Sequence, residues 1–523
     1  MSTQVLCKSA EELFQDNEIR IRVMDFFRPY MNFAEEIPML PSTYYPMVDK
    51  GTADRYLTAY LTSVNSLFPV VSPPVLTASF NSFYDTGSSN DPVLVCTIYT
   101  VLALGSRQDD AQDEAQRLFG AAWELYGRVV STPYLPSVQA LLLMALELMN
   151  SHKDGQAMLA VGTAVRIAQS IGMHRRLSSH TQPRERRFIA QEYSLRTRIW
   201  WVCYCLDKKL SFDTGRPSAI NDIECDVDTP AEMAMLLHSG TTSDQDEFLK
   251  GLVQLCQIQS AVVSRLFCRT DHEAEYPHLV HEIEALDGQL LAWKAALPRS
   301  LQLDEQISVA HSDLVLVKPS FLHCIYYNTM LVIHRAALFG EIPLQPHQRA
   351  QPRMVAADAV CLNSARSLGR LVNEMLIAPS SWPVSRWMTP LVMNVIFTLY
   401  VGVMRNPAQW TSESDVALIN SLRVCFSKIN KVPFVIASFD ELCSSLTRAI
   451  AVMKRRSQLM AETAPGSQPG SDLPVDGVLQ DPVGDVNPDI DFRFGDFFGV
   501  YGGPDPLISM QMWPVNLDEA IDS

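Results

Sequence analysis

From about residue 40 to about residue 457, the apolar residues of this 523-residue chain recur every three to four positions, and strand-like alternation is scarce. A repeat of that length puts apolar side chains on one face of a helix, and such a face has to be buried against another element. With almost no alternating segments to build a sheet, the covering elements must also be helices. The pattern therefore predicts an all-α fold: a large multi-helix domain over residues 40–457. The segment 53–68 places Tyr56, Leu57, Tyr60, Leu61, Val64 and Phe68 on one face, and Pro69, Pro73 and Pro74 are expected to stop it. Further helices are expected over 92–104, 111–130, 137–149, 156–171, 248–267, 281–297, 319–339, 356–376, 390–404, 414–427 and 438–460. The 156–171 segment is apolar almost all round, which suits the middle of a helical core, and Gly172 is placed to end it.

Outside that body the chain changes character. Residues 1–39 read as an N-terminal helix and linker, with Leu13, Phe14, Ile21, Met24 and Phe27 on helical spacing before a proline-rich break. Residues 458–489 are rich in Pro, Gly, Ser and Asp and lack aromatics. They cannot bury enough surface to offset their ordering entropy and are expected to form a disordered linker. Residues 490–523 return to aromatics, with Phe492, Phe494, Phe497, Phe498 and Trp513 set among acids. From Ser471 onward, eleven acids face one base, Arg493, so this tail holds about ten of the sixteen net negative charges. Acids keep aromatic side chains solvated while leaving them available to a groove on a partner, the composition of many activation segments.

The eleven cysteines are dispersed, and no C-x-x-C pair occurs. A zinc site needs paired ligands that close a tetrahedron, so these cysteines are expected to be buried, reduced thiols, with no metal and no cofactor. The longest apolar runs, 136–149 and 391–404, are too short to span a bilayer and contain Gln139, Glu147 and Asn394. The first residues lack a basic stretch followed by an apolar run, so no signal peptide is expected. An intracellular chain with no membrane partner follows. The overall charge of −16 offers no support for nucleic-acid contact, which a basic stripe would.

Candidate sites of known chemistry fail on spacing. Asp222, Glu224, Asp226 and Asp228 suggest a calcium loop, but Val227 stands where the sharp turn needs Gly and Met233 where a bidentate Glu belongs. An extended segment with one wet face is the better reading. His278 and His281 lack the His-Glu-x-x-His order and read as surface residues. No nucleophile elbow, P-loop or dinucleotide fingerprint is present, and no enzymatic activity is expected. The basic residues Arg175, Arg176, Arg184, Arg186, Arg187, Arg196, Arg198, Lys208 and Lys209 could form a phosphate-binding patch. Interleaved acids favour a solvated loop with internal ion pairs.

The most informative stretch is RTRIWWVCYCLDKKLSFDTGRPSAI, starting at Arg196. Ser194 can cap a helix here, and Leu195, Ile199, Val202, Leu206 and Leu210 form its apolar face. Gly215 tolerates the positive φ that ends the segment, and Arg216 precedes Pro217 and is driven to an extended conformation. A half-buried Asp207 needs a partner, and Arg216 is the best placed in sequence. Two readings stay open: a ligand pocket lined by Trp200, Trp201 and this pair, or a structural ion pair locking the helix to its following turn, which is favoured.

The stretch resembles the signature of the fungal-specific transcription factor domain, the regulatory middle region of fungal zinc-cluster factors. The matching positions are Arg196, Arg198, Trp200, Trp201, Asp207, Ser211, Gly215, Arg216, Pro217 and Ile220, while Thr197 departs where a third Arg is frequent. Segments starting at Ala53, Gly162 and Leu331 resemble the family's opening helix and Phe-Pro turn, its Gly-Leu-His element and its His-Arg-Pro element. The resemblance implies a transcriptional regulator, with the signature residues structural and with no catalytic, cofactor or metal residues. It also implies a nuclear location with shuttling to the cytoplasm. Its expected partners are the transcription machinery or a coactivator, with a related zinc-cluster factor as a further partner. The six closely spaced cysteines of the family's DNA reader are not in these residues, so DNA is expected to be reached only indirectly or through a segment outside them. A non-DNA-binding modulator or a ligand-binding scaffold on the same fold is the alternative.

Overall fold

The computed structural model describes residues 37, 40–107, 111–176, 186–229, 243–267, 276–303, 317–339, 352–377, 385–406 and 409–429, with isolated positions from 437 to 455. These residues are all-α. Their one β feature is an isolated bridge between Tyr44 and Ser89. Linker 458–489 and segment 490–523 lie outside the described residues, as does 1–36.

The first helices are α1 (Lys50–Thr62), α2 (Val64–Leu67), α3 (Pro73–Thr86), α4 (Pro92–Ser106), α5 (Gln112–Glu124), α6 (Tyr126–Val130), α7 (Leu135–Asn150), α8 (Asp154–Ser170) and α9 (Arg186–Thr214). They are followed by α10 (Asp244–Val262), α11 (Tyr276–Ala296), α12 (Val317–Phe339), α13 (Pro352–Ile377), α14 (Thr389–Arg405) and α15 (Ser412–Ile429). The expected segments between residues 53 and 427 form helices, with ends moved by a few residues where a cap decides the start, while most of the expected 438–460 helix lies outside the described residues. Asp91 is such a cap: its carboxylate accepts from the Val93 and Leu94 amides, and Pro92 follows at the first helical position. The preceding segment stops at Leu67, just before Pro69, and not at Pro73 and Pro74. Those two prolines begin α3, because the first turn of a helix has no use for their missing amides. The expected 111–130 helix is interrupted at Leu125, giving α5 and α6.

Most neighbours in sequence are neighbours in space. α1 and α7 pack on α4, α7 on α8, α8 on α9, α9 on α10, α10 on α11 and α12, α12 on α13, and α13 on α14 and α15. One continuous apolar core runs through all of them. An aromatic junction ties the two ends of the body together. Phe68, just after α2, stands edge-on to Phe321 of α12 at 5.9 Å and to Trp387 at 5.4 Å. The α1–α4 crossing is tight because residue 105 is Gly: a Cβ there would stand 2.0 Å from the Tyr56 carbonyl oxygen.

Two polar contacts are sealed inside the body. Glu147, in the apolar run of α7, is fully buried and paired with Arg107, which also reaches Gln112 and Ser151. Arg366 of α13 makes a two-bonded pair with Asp415 of α15, both at 2.8 Å, and adds Thr411. Breaking such a pair at one partner leaves an uncompensated buried charge, at a cost of about 3–5 kcal/mol. α8 is less uniform than its composition suggests. Ala157, Ala160, Val161, Ala164, Val165 and Ala168 are buried, but Leu159 is 69% exposed. Gly172 ends it as expected, at φ +75°, with the Met173 amide returning to Ala168 O.

Candidate functional site

The signature lies on α9 and the strap that follows it, residues 215–229. α9 starts at Arg186, so Ser194 is interior and does not cap it; tertiary packing extends the helix past that signal. One flank of α9 carries Ile199, Val202, Cys203, Leu206 and Leu210, all buried. The other carries polar groups at helical spacing, and the strap closes over them.

Gly215 starts the strap at φ +67°, a conformation that L side chains adopt at a cost. One turn back, Ser211 Oγ donates to Arg216 O at 2.6 Å. Asp207 is 4% exposed, and its carboxylate accepts from Ser218 Oγ at 2.5 Å, Ala219 N at 2.9 Å and Ile220 N at 3.1 Å. Its partners are thus the strap's amides and a hydroxyl. The expected Asp207–Arg216 ion pair does not form. The Arg216 guanidinium instead lies against α8, 3.8 Å from Met158 Sδ. The chain reversal at Gly215 turns the Arg216 carbonyl toward α9 and its side chain toward the neighbouring helix.

The next turns of α9 continue the closure. Lys208, though cationic, is 4% exposed; its Nζ donates to Ile220 O at 2.8 Å and pairs with Asp222 at 3.2 Å. Lys209 points the other way and pairs with Asp213 at 2.5 Å. Trp201 Nε1 donates to Asp228 O at 2.9 Å, and Tyr193 OH to the Asp228 carboxylate at 2.9 Å. Arg176 pairs with the same carboxylate at 2.6 Å, and Arg175 stands 3.9 Å from Asp226. Arg196 donates to Ile171 O at the end of α8, and Arg198 reaches Asp246 at 3.6 Å. Trp200 is fully buried, its ring 5.8 Å from His174.

This geometry bears on two further expectations. The described basic residues are taken up internally, as their interleaved acids led one to expect: Lys208 and Lys209 are buried, and Arg175, Arg176, Arg196 and Arg198 are engaged with acids or a helix end, while Arg184 and the side chains of Arg186 and Arg187 lie outside the described residues. The acidic stretch is not a uniformly extended segment with one wet face. Asn221 caps a short 3-10 turn at Asp222–Glu224, and Asp228 is buried beneath Tyr193 and Arg176. Its acids are taken by bases and hydroxyls: Asp222 by Lys208 and Ser260, Asp226 by Arg175 and Asp228 by Arg176.

The electrostatics follow from burial. Desolvation raises the Tyr204 phenol, helped by the Asp222 charge. The Cys203 thiol is also raised by burial, and Cys225 is pushed up to about 11. Burial, then Arg175, lowers His174. Thiols and phenols held protonated in this way are poor nucleophiles at neutral pH. Eight of the nine described cysteines are buried, all as free thiols. Among the described residues no group of three or more His, Cys, Asp or Glu is arranged to hold a metal ion, and no helix is long and apolar enough to cross a membrane. His278 is exposed and stands 3.9 Å from Glu282.

Sequence comparison assigns this architecture. Residues 57–301, from α1 through the signature helix and strap to the turn after α11, match the family described as fungal specific transcription factor domain. This region is a fungal specific transcription factor domain. Curated proteins similar to the chain include fungal regulators. An ABC-transporter-regulating transcription factor of Aspergillus fumigatus is 24% identical over 405 residues, covering 72% of this chain and 44% of that protein. The fusaridione A cluster transcription factor of Fusarium heterosporum is 24% identical over 424 residues, 77% of each chain. An acetamidase regulatory protein of A. fumigatus is 28% identical over 310 residues, 58% of this chain and 36% of that one. The matched part of the chain therefore spans less than half of the length of the Aspergillus relatives. No solved structure matches it. Helices α12–α15 lie beyond the matched residues of the domain but share its core.

Proposed function

We propose that this chain is a fungal transcriptional regulator acting on transcription by RNA polymerase II. In this reading the helical domain is the regulatory body and residues 490–523 are the activation segment. The observation that carries it is the domain match over residues 57–301, together with relatives named as transcription factors and regulators. The signature residues Trp201, Asp207, Ser211 and Gly215 act as the clasp that holds strap 215–229 on α9, and Arg196 ties α9 to the end of α8. The proposal includes no catalytic step and no cofactor. Its partner is a coactivator or another part of the transcription machinery, met by Phe492, Phe494, Phe497, Phe498 and Trp513. The chain works in the nucleus.

The decisive test fuses Ile490–Ser523 to an unrelated DNA-binding domain upstream of a reporter. Activation is expected, and replacing the four phenylalanines by alanine should abolish it. A well-expressed fusion that leaves the reporter silent would sink the assignment. Contact with DNA is proposed to be indirect for these 523 residues, because they hold no six-cysteine cluster and are strongly acidic. Purified protein should then show no site-specific DNA binding alone; nanomolar binding to a defined sequence would refute this part.

A further inference from the structure

Charge falls into three blocks along this chain. Residues 1–316 hold 26 bases and 39 acids, a net −13. Residues 317–460 hold 15 bases and 7 acids, a net +8. Residues 461–523 hold one base and 12 acids, a net −11. The overall −16 therefore conceals a basic block set directly before the acidic end. That block is the part of the body beyond the matched residues, from α12 through α15 to the positions that follow.

Part of this basic charge faces water where the body ends. The described positions between 437 and 455 are helical. Their inner side is fixed by packing: Phe439 meets Phe426 of α15 with ring centroids 4.0 Å apart, and Tyr400 of α14 donates to Cys443 O at 3.0 Å. Phe439, Cys443 and Ile450 are buried. Residues 440, 444, 448, 451 and 455 fall on the other side at helical spacing, and Ser444, Arg448, Ala451 and Arg455 are exposed. Arg423 of α15 joins the start of this stripe, 3.3 Å from Asp440. Among the described residues the stripe thus gathers three arginines and one acid.

We propose that the acidic tail, residues 471–523, docks in cis on this arginine stripe. The stripe spans about 22 Å at 1.5 Å per residue. The fifteen residues from 456 to 470 join it to the tail and reach up to about 50 Å, so the tail can lie along all of it. A tether of that length holds the tail at an effective concentration of the order of millimolar, which favours it over a second copy of the chain. Residues 1–316, at −13, repel the tail, which leaves the basic block as its place on the body. The attraction needs only charge, not a regular structure in the tail. Docking would withhold Phe492, Phe494, Phe497, Phe498 and Trp513 from a partner. That consequence rests on the activation segment proposed above; the contact itself does not.

Small-angle X-ray scattering of the full chain tests the contact by the sign of its salt response. The Debye length falls from about 30 Å at 0.01 M salt to about 3 Å at 1 M. An undocked acidic tail repels itself and contracts as salt screens it. A docked tail is released by the same salt and expands. The radius of gyration of the parent should therefore rise across that range, by roughly a tenth of the about 23 Å of a compact body this size. Circular dichroism should stay constant. Arg448→Glu/Arg455→Glu should start expanded and contract with salt; both positions are exposed, so the fold should tolerate the change. Asp476→Asn/Asp481→Asn/Asp485→Asn/Asp489→Asn leaves the body untouched and should also suppress the rise.

A parent chain that contracts with salt would overturn the proposal, and so would a rise that survives the arginine reversal. If duplex DNA binds such a contracting chain through Arg448 and Arg455, the stripe belongs to nucleic acid. A rise accompanied by halving of the scattering mass would place the tail on a second copy and overturn the contact in cis. With the full chain fused to an unrelated DNA-binding domain, the arginine reversal should raise reporter output severalfold. A silent reporter beside the expected scattering would sink the activation reading and leave the contact standing.

Discussion

Removing the Asp207 carboxylate is the sharpest probe of the strap. In Asp207→Ala, the Ala219 amide loses its acceptor at a site that is 4% exposed, and the Ser218 hydroxyl and Ile220 amide keep only their contacts to Ile220 O and Ser218 Oγ. Hydrogen bonds to a charged group contribute about 1.5–3 kcal/mol each, and an unpaired buried donor costs about 1–3 kcal/mol. The three donors share one carboxylate, and the strap can relax to let in water. A net loss of about 3–5 kcal/mol follows, rather than the full sum. Arg216→Ala removes a contact to Met158 and a charge interaction with Asp154 of α8, neither involving Asp207, and should cost about 1 kcal/mol or less. The double variant should therefore be additive to within about 0.5 kcal/mol, as for groups that share no direct interaction. The assay is denaturant unfolding of the four proteins of the cycle, followed by tryptophan fluorescence, since Trp200 and Trp201 lie under or beside the strap. A coupling energy above about 1.5 kcal/mol would mean that Asp207 and Arg216 form the ion pair after all, and the carboxylate-to-amide clasp would be refuted.

Two further predictions concern the body. Gly105→Ala should destabilise by more than the usual 1–3 kcal/mol of an overpacked core, because the clash is with the Tyr56 backbone carbonyl at 2.0 Å and α1 as a whole must move. A melting temperature within about 1 °C of the parent would disprove the close crossing. His323 of α12 is 2% exposed, and burial, with Lys294 second, lowers its pKa to about 4 from an ordinary 6.5. The unfolded chain then binds more protons than the folded one between those values. Stability should fall as the pH drops from about 6.5 toward 4, by roughly 2–3 kcal/mol from this residue. His323→Phe should flatten that part of the profile, and an unchanged slope would show that His323 is not the source.

Helix content was legible because period and proline placement are local properties. What failed was local too, but ambiguous. Pro73 and Pro74 signal a helix end and a helix start equally well, and here they only start α3, the preceding helix having ended at Leu67 before Pro69. Ser194 is a good cap in isolation, yet α9 runs through it from Arg186. Leu159 is apolar on an apolar helix and still faces water, because burial depends on what lies opposite. The clasp was half legible. Asp207 could be recognised as a buried acid in need of partners. Backbone amides carry no sequence signal, so the nearest cation in the sequence, Arg216, looked like the answer.

The residues alone determine that this chain builds a helical domain, that Gly215 turns it after α9, and that its acids collect at the C-terminal end. Those properties depend on side-chain chemistry and short-range spacing. Only the tertiary structure decides which donors reach Asp207, that Lys208 is buried against the Ile220 carbonyl, and that Arg216 turns to α8. Each of those contacts depends on where a chain reversal places backbone groups relative to a helix face, and that placement is fixed by packing across the whole core.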